Sequence, residues 1–272
     1  MVVAILDFGS QFSHLIARRV RELDCFCELL SCRTQVLPEN VVGVILSGGP
    51  HSVYDDDAPH VSQAVWQLIR DRALPVLGIC YGMQELAHAF GGTVEPCDRR
   101  EYGKSELVEY RSDDILSGLS EGVVWMSHGD KLTALPHGFS DIASTANSQH
   151  AIIANREFSA PPARPFPDTP LPDATKMYGF QFHPEVTHTP QGQTLLRNFV
   201  VGVCEASCTW TTANIRDTLL HRVREQVGPT GRVIGAVSGG VDSTVAALLL
   251  HLAIGDRFRG KSAACVCDRP PR

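Results

Sequence analysis

Short apolar runs alternate with helical patterns along the N-terminal third of the chain, and this alternation constrains the fold more than any other feature. Val2–Asp7, Val41–Leu46 and Leu74–Ile79 are continuous apolar runs of strand length. Gln11–Leu23 and Val61–Arg72 lie between them, with apolar residues at helical spacing. Strands that are apolar on both faces and separated by helices predict an α/β fold with an open, mostly parallel sheet flanked by helices.

The rest of the first domain has a different pattern. From Glu106 onward, short alternating segments separated by turns predict an antiparallel extension of the sheet. The last of these segments, Tyr178–Phe182, would return the chain to the edge where the parallel strands end, and Gln191–Val203 would close the domain as a helix. Ligands of such sheets bind beyond the carboxyl ends of the strands.

Cys80 is a candidate nucleophile at this edge. It lies between Gly78 and Gly82, after an apolar strand and before the helical segment Met83–Phe90. Gly-x-Cys-x-Gly at a strand-to-helix turn has the features of a nucleophile elbow, in which small residues permit a strained turn. The helix N-terminus beyond it offers amide groups and a positive dipole, which favour a thiolate.

A histidine and a glutamate end the predicted strand Tyr178–Phe182. A cysteine nucleophile needs a base, and the base needs a group that orients it. His183 can be the base and Glu185 the orienting group, while Pro184 stops the strand because it has no amide to donate.

Composition argues against several classes of function. The hydrophobic content of 43% allows a buried core, yet no run approaches the roughly eighteen apolar residues that span a bilayer. The net charge of −6 gives no reason to expect nucleic-acid binding. Nine scattered cysteines and no secretion signal indicate reduced thiols in the cytoplasm. The close pairs Cys25/Cys27 and Cys265/Cys267 lack neighbouring histidines, so no metal site is predicted.

A second domain begins near Thr209. Thr212–Val227 has a helical pattern, Arg232–Val237 is an apolar strand, and a glycine-rich turn then opens a helix that continues through Ala253. Glycines at a strand-to-helix turn expose backbone amides that can bind phosphate. No Gly-Lys-Ser/Thr follows, so the turn is not a Walker A loop.

These motifs together resemble the class I, or triad, glutamine amidotransferases, and within them the glutaminase domain of the GMP synthetase family. The resemblance runs from residue 1 to about residue 255 with one interruption. It is carried by the segments D-F-G-S-Q (7–11), A-R-R-V-R-E (17–22), S-G-G-P (47–50), G-I-C-Y-G-M-Q (78–84), W-M-S-H-G-D (125–130) and F-Q-F-H-P-E-V-T-H-T (180–189).

The resemblance implies a role for each matching residue in glutamine hydrolysis, which needs no cofactor. The catalytic triad would be Cys80, His183 and Glu185. The oxyanion hole and the pocket for L-glutamine would be formed by Gly49, Tyr81, Gln84, Ser127, His128, Gly129 and Asp130.

The turn in the second domain resembles the pyrophosphate loop of N-type ATP pyrophosphatases. The family is a ligase that uses ATP, Mg²⁺ and the ammonia from glutamine to convert XMP to GMP. The residues implied in ATP binding are Ser238, Gly239, Gly240, Val241, Asp242, Ser243 and Thr244.

The expected domain organisation is an amidotransferase domain at 1–203 and an incomplete α/β adenine-nucleotide hydrolase-like domain at 209–272. A proline-rich insertion at 159–173 interrupts the first domain. Beyond Ile254 the resemblance is lost, so the expectation is that the rest of the synthetase half and the dimerisation domain are absent, as in a fragment, an isoform or a frameshifted gene product.

Three alternatives stay open at this point. The chain could be the glutaminase subunit of another synthase, or an arrangement like that of NAD synthetase, which pairs a similar pyrophosphate loop with a different glutaminase. It could also be a non-catalytic or regulatory fragment that competes for the partners of the intact enzyme. The triad residues argue against the last alternative, and the loop at 238–243 argues against the first.

Overall fold

The computed structural model describes residues 1–110, 112–155 and 175–262. The chain divides into two compact units, Met1–Cys208 and a second that begins at Thr209. The predicted proline-rich insertion at 159–173 and the segment after residue 262 lie outside the described residues.

The first unit combines strands with helices in an α/β order, as expected. Its elements are β1 (Val2–Asp7), α1 (Ser13–Arg21), β2 (Cys27–Ser31), β3 (Val41–Leu46), α2 (Gln63–Asp71), β4 (Val76–Ile79), α3 (Tyr81–Ala89), β5 (Thr93–Tyr110), β6 (Val123–Ala134), β7 (Phe139–Thr145), β8 (Ile152–Asn155), β9 (Met177–Phe180) and α4 (Gly192–Arg197).

The strands form one large sheet in the order β2-β1-β3-β4-β9-β8-β7-β5-β6. The first five strands in this order are parallel, and the others add to the sheet in antiparallel pairs. The α/β fold with a large, mostly parallel sheet is therefore confirmed. At its centre Ile79 pairs with Phe180, so β4 and β9 end side by side. The residues that follow both strands consequently meet at one edge of the sheet.

The sheet separates two apolar cores, because successive side chains of a strand point to opposite faces. Val3 and Ile5 of β1 pack into the core that contains Ile16 of α1. Leu6 packs into the other core, with Trp66 of α2. Helices therefore cover both faces of the parallel strands, which explains why those strands are apolar throughout.

The antiparallel part differs from the sequence-based expectation. It starts at Thr93 rather than at Glu106, and its first two strands, β5 and β6, are long. Pro96 lies within β5, where the register with β6 shifts between Pro96 and Glu101. Proline cannot donate to a strand ladder and is tolerated at such an irregularity, which is why the period-2 pattern is lost there. Strand β2 was not predicted.

The predicted closing helix Gln191–Val203 is also divided. Its first part is α4, and its second part, Asn198–Val203, is a π-helix with a wider turn. Phe199 and Val200 in this segment are fully buried, so the wider turn still packs against the sheet.

The second unit is small. It contains α5 (Thr212–Val227), β10 (Val233–Val237), α6 (Val241–Ile254) and β11 (Phe258–Ser262), and β10 and β11 pair in parallel. Thr211 caps the start of α5 and Gly228, with φ 68°, ends it. The predicted helix and strand of this region agree with α5 and β10 to within a residue. No helix within the described ranges is both long and apolar enough to cross a bilayer.

Candidate active site

Cys80 forms the sharp turn between β4 and α3. Its backbone has φ 52° and ψ −106°, a conformation that is unusual for a non-glycine residue and tends to occur at functional sites. A Cβ atom at Gly78 would overlap the carbonyl of Gly82, and one at Gly82 would overlap the carbonyl of Leu46. The two flanking glycines are thus needed because backbone segments pass very close to them.

His183 and Glu185 follow β9 at the same edge of the sheet. Nδ1 of His183 lies 2.7 Å from Oε1 of Glu185, whose side chain is fully buried. The backbone of His183 is fixed on both sides: its amide donates to the carbonyl of Trp125 at 3.0 Å, and its carbonyl accepts from the Thr189 hydroxyl at 2.7 Å. The Phe12 ring packs edge-on against the imidazole, with centroids 5.5 Å apart. These contacts leave the imidazole little freedom to turn.

The electrostatic environment of His183 favours the protonated form. Burial alone lowers its pKa, but hydrogen bonds to Cys80 and Glu185 and the negative charges of both groups outweigh burial and raise the pKa to about 10. At neutral pH the imidazole is therefore an imidazolium between a sulfur and a carboxylate. The Cys80 sulfur also lies 3.7 Å from the carbonyl oxygen of Ser127. The structure therefore brings the three predicted triad residues into one row, in which His183 hydrogen-bonds to Glu185 and interacts with Cys80 on its other side.

A pocket of about 520 Å³ opens beside Cys80, within the usual range for small-molecule sites. The residues predicted for the oxyanion hole and the glutamine pocket all line it, namely Gly49, Tyr81, Gln84, Ser127, His128, Gly129 and Asp130. A larger pocket of about 860 Å³, lined by Asp141 and His150 among others, contains none of the predicted site residues.

One wall of the pocket is organised around Asp130. Its carbonyl oxygen accepts from Nε2 of Gln84 at 3.1 Å and lies 3.0 Å from Nδ1 of His128. Its carboxylate accepts from the hydroxyls of Ser52 at 2.5 Å and Tyr54 at 2.9 Å. Burial lowers the pKa of His128. On its other side, Nε2 of His128 lies 3.3 Å from Oε2 of Glu101. Both the backbone and the side chain of Asp130 are therefore held by neighbouring groups.

The loop after β3 also lines the pocket. The Ser47 hydroxyl accepts from the amide of Phe8 at 3.1 Å and donates to the carbonyl of Gly48 at 2.8 Å. A Cβ atom at Gly49 would lie 3.0 Å from the carbonyl of Phe8 and 3.2 Å from the ring of Tyr81. Glycine is required at position 49 for this close approach, which holds its backbone next to the turn at Cys80.

Comparison with known protein families agrees with this geometry. The family described as "Glutamine amidotransferase class-I" matches residues 4–160 and 171–203. The chain belongs to the class I glutamine amidotransferases. The matched ranges include every residue of the row at Cys80 and of the pocket wall around Asp130.

Two relatives that resemble this amidotransferase are both named as glutamine-hydrolysing GMP synthases. GMP synthase [glutamine-hydrolyzing] of Saccharomyces cerevisiae is 50% identical over 260 residues, and that of Eremothecium gossypii is 51% identical over 260 residues. In both cases the match covers 94% of this chain and 45% of the relative. The chain therefore spans less than half the length of these relatives.

A solved structure from Thermoplasma acidophilum, described as one subunit of a GMP synthase, is 29% identical with a TM-score of 0.61. The likeness covers 80% of this chain and 96% of that one. A glutamine amidotransferase of Thermotoga maritima, 19% identical with a TM-score of 0.57, shares the fold; the likeness covers 75% of this chain and 98% of that one.

Sequence reasoning missed several residues that line the pocket of this amidotransferase, and three of them carry polar groups that bear on its chemistry. Arg100, Ser52 and Tyr54 line the pocket, and Nε of Arg100 lies 3.9 Å from the position that a Cβ atom of Gly129 would occupy. Arg100 belongs to β5, which reaches the pocket only through its pairing with β6. The local sequence does not predict this placement, because it depends on how β5 pairs with β6. The register of that pairing shifts between Pro96 and Glu101, the interval that contains Arg100.

The predicted ATP-binding residues lie in the second unit, at the turn between β10 and α6. Gly239 has φ +85°, and the hydroxyl groups of Ser243 and Thr244 donate to the carbonyl of Gly240 at 3.1 and 2.8 Å. The turn is exposed, and the first-turn amides of α6 have no intrahelical partners. A phosphate group fits this arrangement, and the role of these residues in ATP binding stays a prediction.

The charge on His183 leads to a prediction about the reactivity of the amidotransferase. An imidazolium that persists to about pH 10 keeps a positive charge against the Cys80 sulfur at neutral and moderately alkaline pH. We therefore expect iodoacetamide to alkylate Cys80 at pH 7 at least several times faster in the unmodified protein than in His183→Ala, because the imidazolium stabilises negative charge on the sulfur. The rates are measured by mass spectrometry. Equal rates in the two proteins would contradict the prediction.

Proposed function

We propose that this chain hydrolyses L-glutamine to L-glutamate and ammonia. The observation that carries the proposal is the row Cys80–His183–Glu185, which lies at the edge of a pocket of suitable size. Membership of the class I amidotransferases and the glutamine-hydrolysing activity in the names of its relatives support it.

The first half of the reaction uses the ion pair of Cys80 and His183. The thiolate sulfur attacks the side-chain amide carbon of glutamine, and the carbonyl electrons move onto the oxygen. When the tetrahedral intermediate collapses, the C–N bond breaks and His183 donates its Nε2 proton to the leaving nitrogen, which departs as ammonia. The product on the protein is a γ-glutamyl thioester of Cys80.

The second half needs His183 as a base. In the thioester the sulfur no longer carries a negative charge, so one of the groups that raise the pKa of His183 is lost. The neutral imidazole can then take a proton from water, whose oxygen attacks the thioester carbon. Collapse releases glutamate and returns the sulfur as a thiolate beside the imidazolium. Glu185 holds Nδ1 protonated throughout, which keeps Nε2 directed at the reacting atoms.

The negative oxygen of both intermediates requires hydrogen-bond donors. We assign this role to the amides of Tyr81 and Gly49. Tyr81 is the first residue of α3, where amides have no intrahelical partner and the helix dipole is positive. A Cβ atom at Gly49 would lie 3.2 Å from the Tyr81 ring, and this close approach supports Gly49 as the source of the second amide.

The outer part of the pocket matches the charged end of glutamine. L-glutamine carries an α-ammonium and an α-carboxylate about three carbon atoms from the reacting amide. We assign the carboxylate of Asp130 to the ammonium and the guanidinium of Arg100 to the carboxylate, since both side chains line the pocket that contains Cys80. Ser52 and Tyr54 hold Asp130 in place for this contact.

Replacing Arg100 with alanine tests this assignment. We expect KM for L-glutamine to rise about tenfold or more, because the variant loses a charge-assisted hydrogen bond to the substrate. The value of kcat should change little, because this bond stabilises the bound substrate and the transition state equally. Steady-state kinetics with a glutamate readout measures both constants. Arg18→Ala, an exposed arginine of α1, is the matched control. An unchanged KM in Arg100→Ala would show that another group binds the carboxylate.

We further propose that the ammonia serves the ATP-dependent amination of XMP to GMP, a ligase reaction of purine biosynthesis. The names of the relatives and the glycine-rich turn Ser238–Thr244 support this proposal. The amides of the turn would hold the pyrophosphate of ATP, and Asp242 in the first turn of α6 would face its Mg²⁺. Residues 1–203 would then be the amidotransferase domain and 209–272 part of an ATP pyrophosphatase domain. A cytoplasmic location fits the free thiols of the described cysteines.

The test of the proposed function is a glutaminase assay of the purified full chain. Glutamate and ammonia are measured with L-glutamine, and with D-glutamine as the control substrate, each with and without XMP, ATP and Mg²⁺. We expect glutamate and ammonia in equal amounts from L-glutamine only. A folded chain that releases neither product under any of these conditions would favour the non-catalytic alternative.

A further inference from the structure

Two cysteines that are far apart in the chain meet at the surface of the first unit. The Sγ atoms of Cys25 and Cys208 lie 3.7 Å apart although 183 positions separate them. Cys25 is fully buried, whereas Cys208 is exposed to solvent. Neither belongs to the site at Cys80, so the pair has no part in the proposed reaction.

The fold anchors the chain next to both cysteines. A tight turn after α1, with Asp24 at φ 57°, leads directly into Cys25, and the carbonyl of Phe26 accepts from the amide of Val3 at 3.0 Å. Near the other cysteine, the amides of Cys204 and Ala206 donate to the carbonyls of Phe199 and Val200 at 2.9 and 3.1 Å. The chain is therefore fixed up to Ala206, two residues before Cys208, which keeps Cys208 near Cys25.

We propose that Cys25 and Cys208 are a redox-sensitive pair that a peroxide converts to a reversible disulfide. The sulfur atoms must approach by somewhat less than 2 Å to reach the S–S bond length of about 2.05 Å. Cys208 is the last residue before the second unit and is exposed, so it can make this movement.

The chemistry has two steps. The exposed Cys208 thiol loses its proton, and the thiolate attacks one oxygen of hydrogen peroxide. The O–O bond breaks to give a Cys208 sulfenic acid, and the leaving hydroxide takes up the proton to form water. The Cys25 sulfur then attacks the sulfenic sulfur, the S–O bond breaks, and a second water leaves as the disulfide forms. Two thiols are oxidised and one hydrogen peroxide is reduced to two waters. A thiol reductant reverses the bond by exchange.

The order of these steps follows from the surroundings of the two thiols. Burial and the neighbouring Cys208 raise the pKa of Cys25 to about 12, so Cys25 is a poor target for peroxide. Its thiol is confined beside Cys208, however, and such proximity compensates for low intrinsic reactivity once the sulfenic acid has formed. The nearby thiols are less suitable, because Cys27 is fully buried and donates to the carbonyl of Ala17, and Cys204 is packed against Gly43.

The bond would have a structural consequence. It would close most of the first unit into one covalent loop and fix the point at which the chain leaves that unit. A cross-link of this span restricts the unfolded chain strongly, so the oxidised protein should be more stable to heat.

The experiment treats the full chain with hydrogen peroxide in a Cys80→Ser background, so that the candidate nucleophile does not consume the oxidant. We expect non-reducing peptide mass spectrometry to find the Cys25 peptide linked to the Cys208 peptide, and dithiothreitol to remove the link. Tm should rise by about 4 °C or more on oxidation and return on reduction. Because the readout is mass and heat stability, the result does not depend on glutaminase activity.

Two variants make the test specific. Cys208→Ser changes an exposed side chain and should fold normally, yet give neither the link nor the rise in Tm. Cys32→Ser, a buried cysteine outside the pair, should retain both. The proposal is overturned if Cys208 is oxidised to sulfinic or sulfonic acid while Cys25 stays a thiol, if the link joins other cysteines, or if no disulfide forms at all.

Discussion

Cys80→Ala abolishes glutamine hydrolysis, with an expected fall in kcat of roughly 10⁴-fold or more, because removal of a covalent nucleophile leaves only the binding groups of the site. The backbone at Cys80 has the strained φ of 52°, and α3 begins at the next residue. No other described cysteine combines this turn with a hydrogen bond to a buried histidine. The measurement is glutamate release, together with labelling by a glutamine-like electrophile such as a diazoketone.

The matched control for this variant is Cys32→Ala. Cys32 and Cys80 are each 7% exposed, so both substitutions remove a similar buried thiol. Cys32 is not among the residues that line the pocket, and its loss should leave labelling and hydrolysis near the level of the unmodified protein. If the label goes to a different cysteine, or if Cys80→Ala keeps its activity, the assignment of the nucleophile is wrong.

His183→Ala is expected to lower kcat about 10²-fold or more, the usual scale for a positioned acid and base. The variant loses both the proton donor for ammonia and the positive charge that faces Cys80. Glutamate release measures the effect, and an unchanged circular dichroism spectrum shows that the variant has not simply unfolded. His14→Ala, an exposed histidine on α1, is the control.

Glu185→Gln should lower kcat less than His183→Ala does. Glutamine at position 185 keeps the size of the side chain, but it no longer carries the charge that stabilises the imidazolium at 2.7 Å. The pKa of His183 should fall in this variant, so the imidazolium stabilises negative charge on the Cys80 sulfur less, and alkylation of Cys80 at pH 7 should be slower than in the unmodified protein. Rates near those of the unmodified protein for both His183→Ala and Glu185→Gln would refute the triad.

The parallel part of the fold was predictable because its signals are local. Val2–Asp7 and Val41–Leu46 were predicted with the observed bounds, since a strand buried on both faces is a continuous apolar run. The turn at Cys80 was predictable as well, because the two flanking glycines, the preceding apolar strand and the following helical pattern are all adjacent to it in the sequence.

The antiparallel part was predicted less well. Strands β5 and β6 pair across an irregular register near Pro96, and half-exposed strands with an interruption lose the alternation that identifies them. Strand β2 was missed because it is short and lies at the edge of the sheet, where only some of its side chains are buried.

The sequence by itself determined the central strands β1 and β3, the turn at Cys80 and the residue types of the candidate triad, because each depends on neighbours along the chain. Only the tertiary structure decided that β4 and β9 end side by side, that Arg100 reaches the pocket and that Cys25 touches Cys208. These three facts depend on strand pairing and on packing between residues far apart in the chain. Many sequences with the same local pattern would place those side chains elsewhere, since register and packing are set by the whole domain.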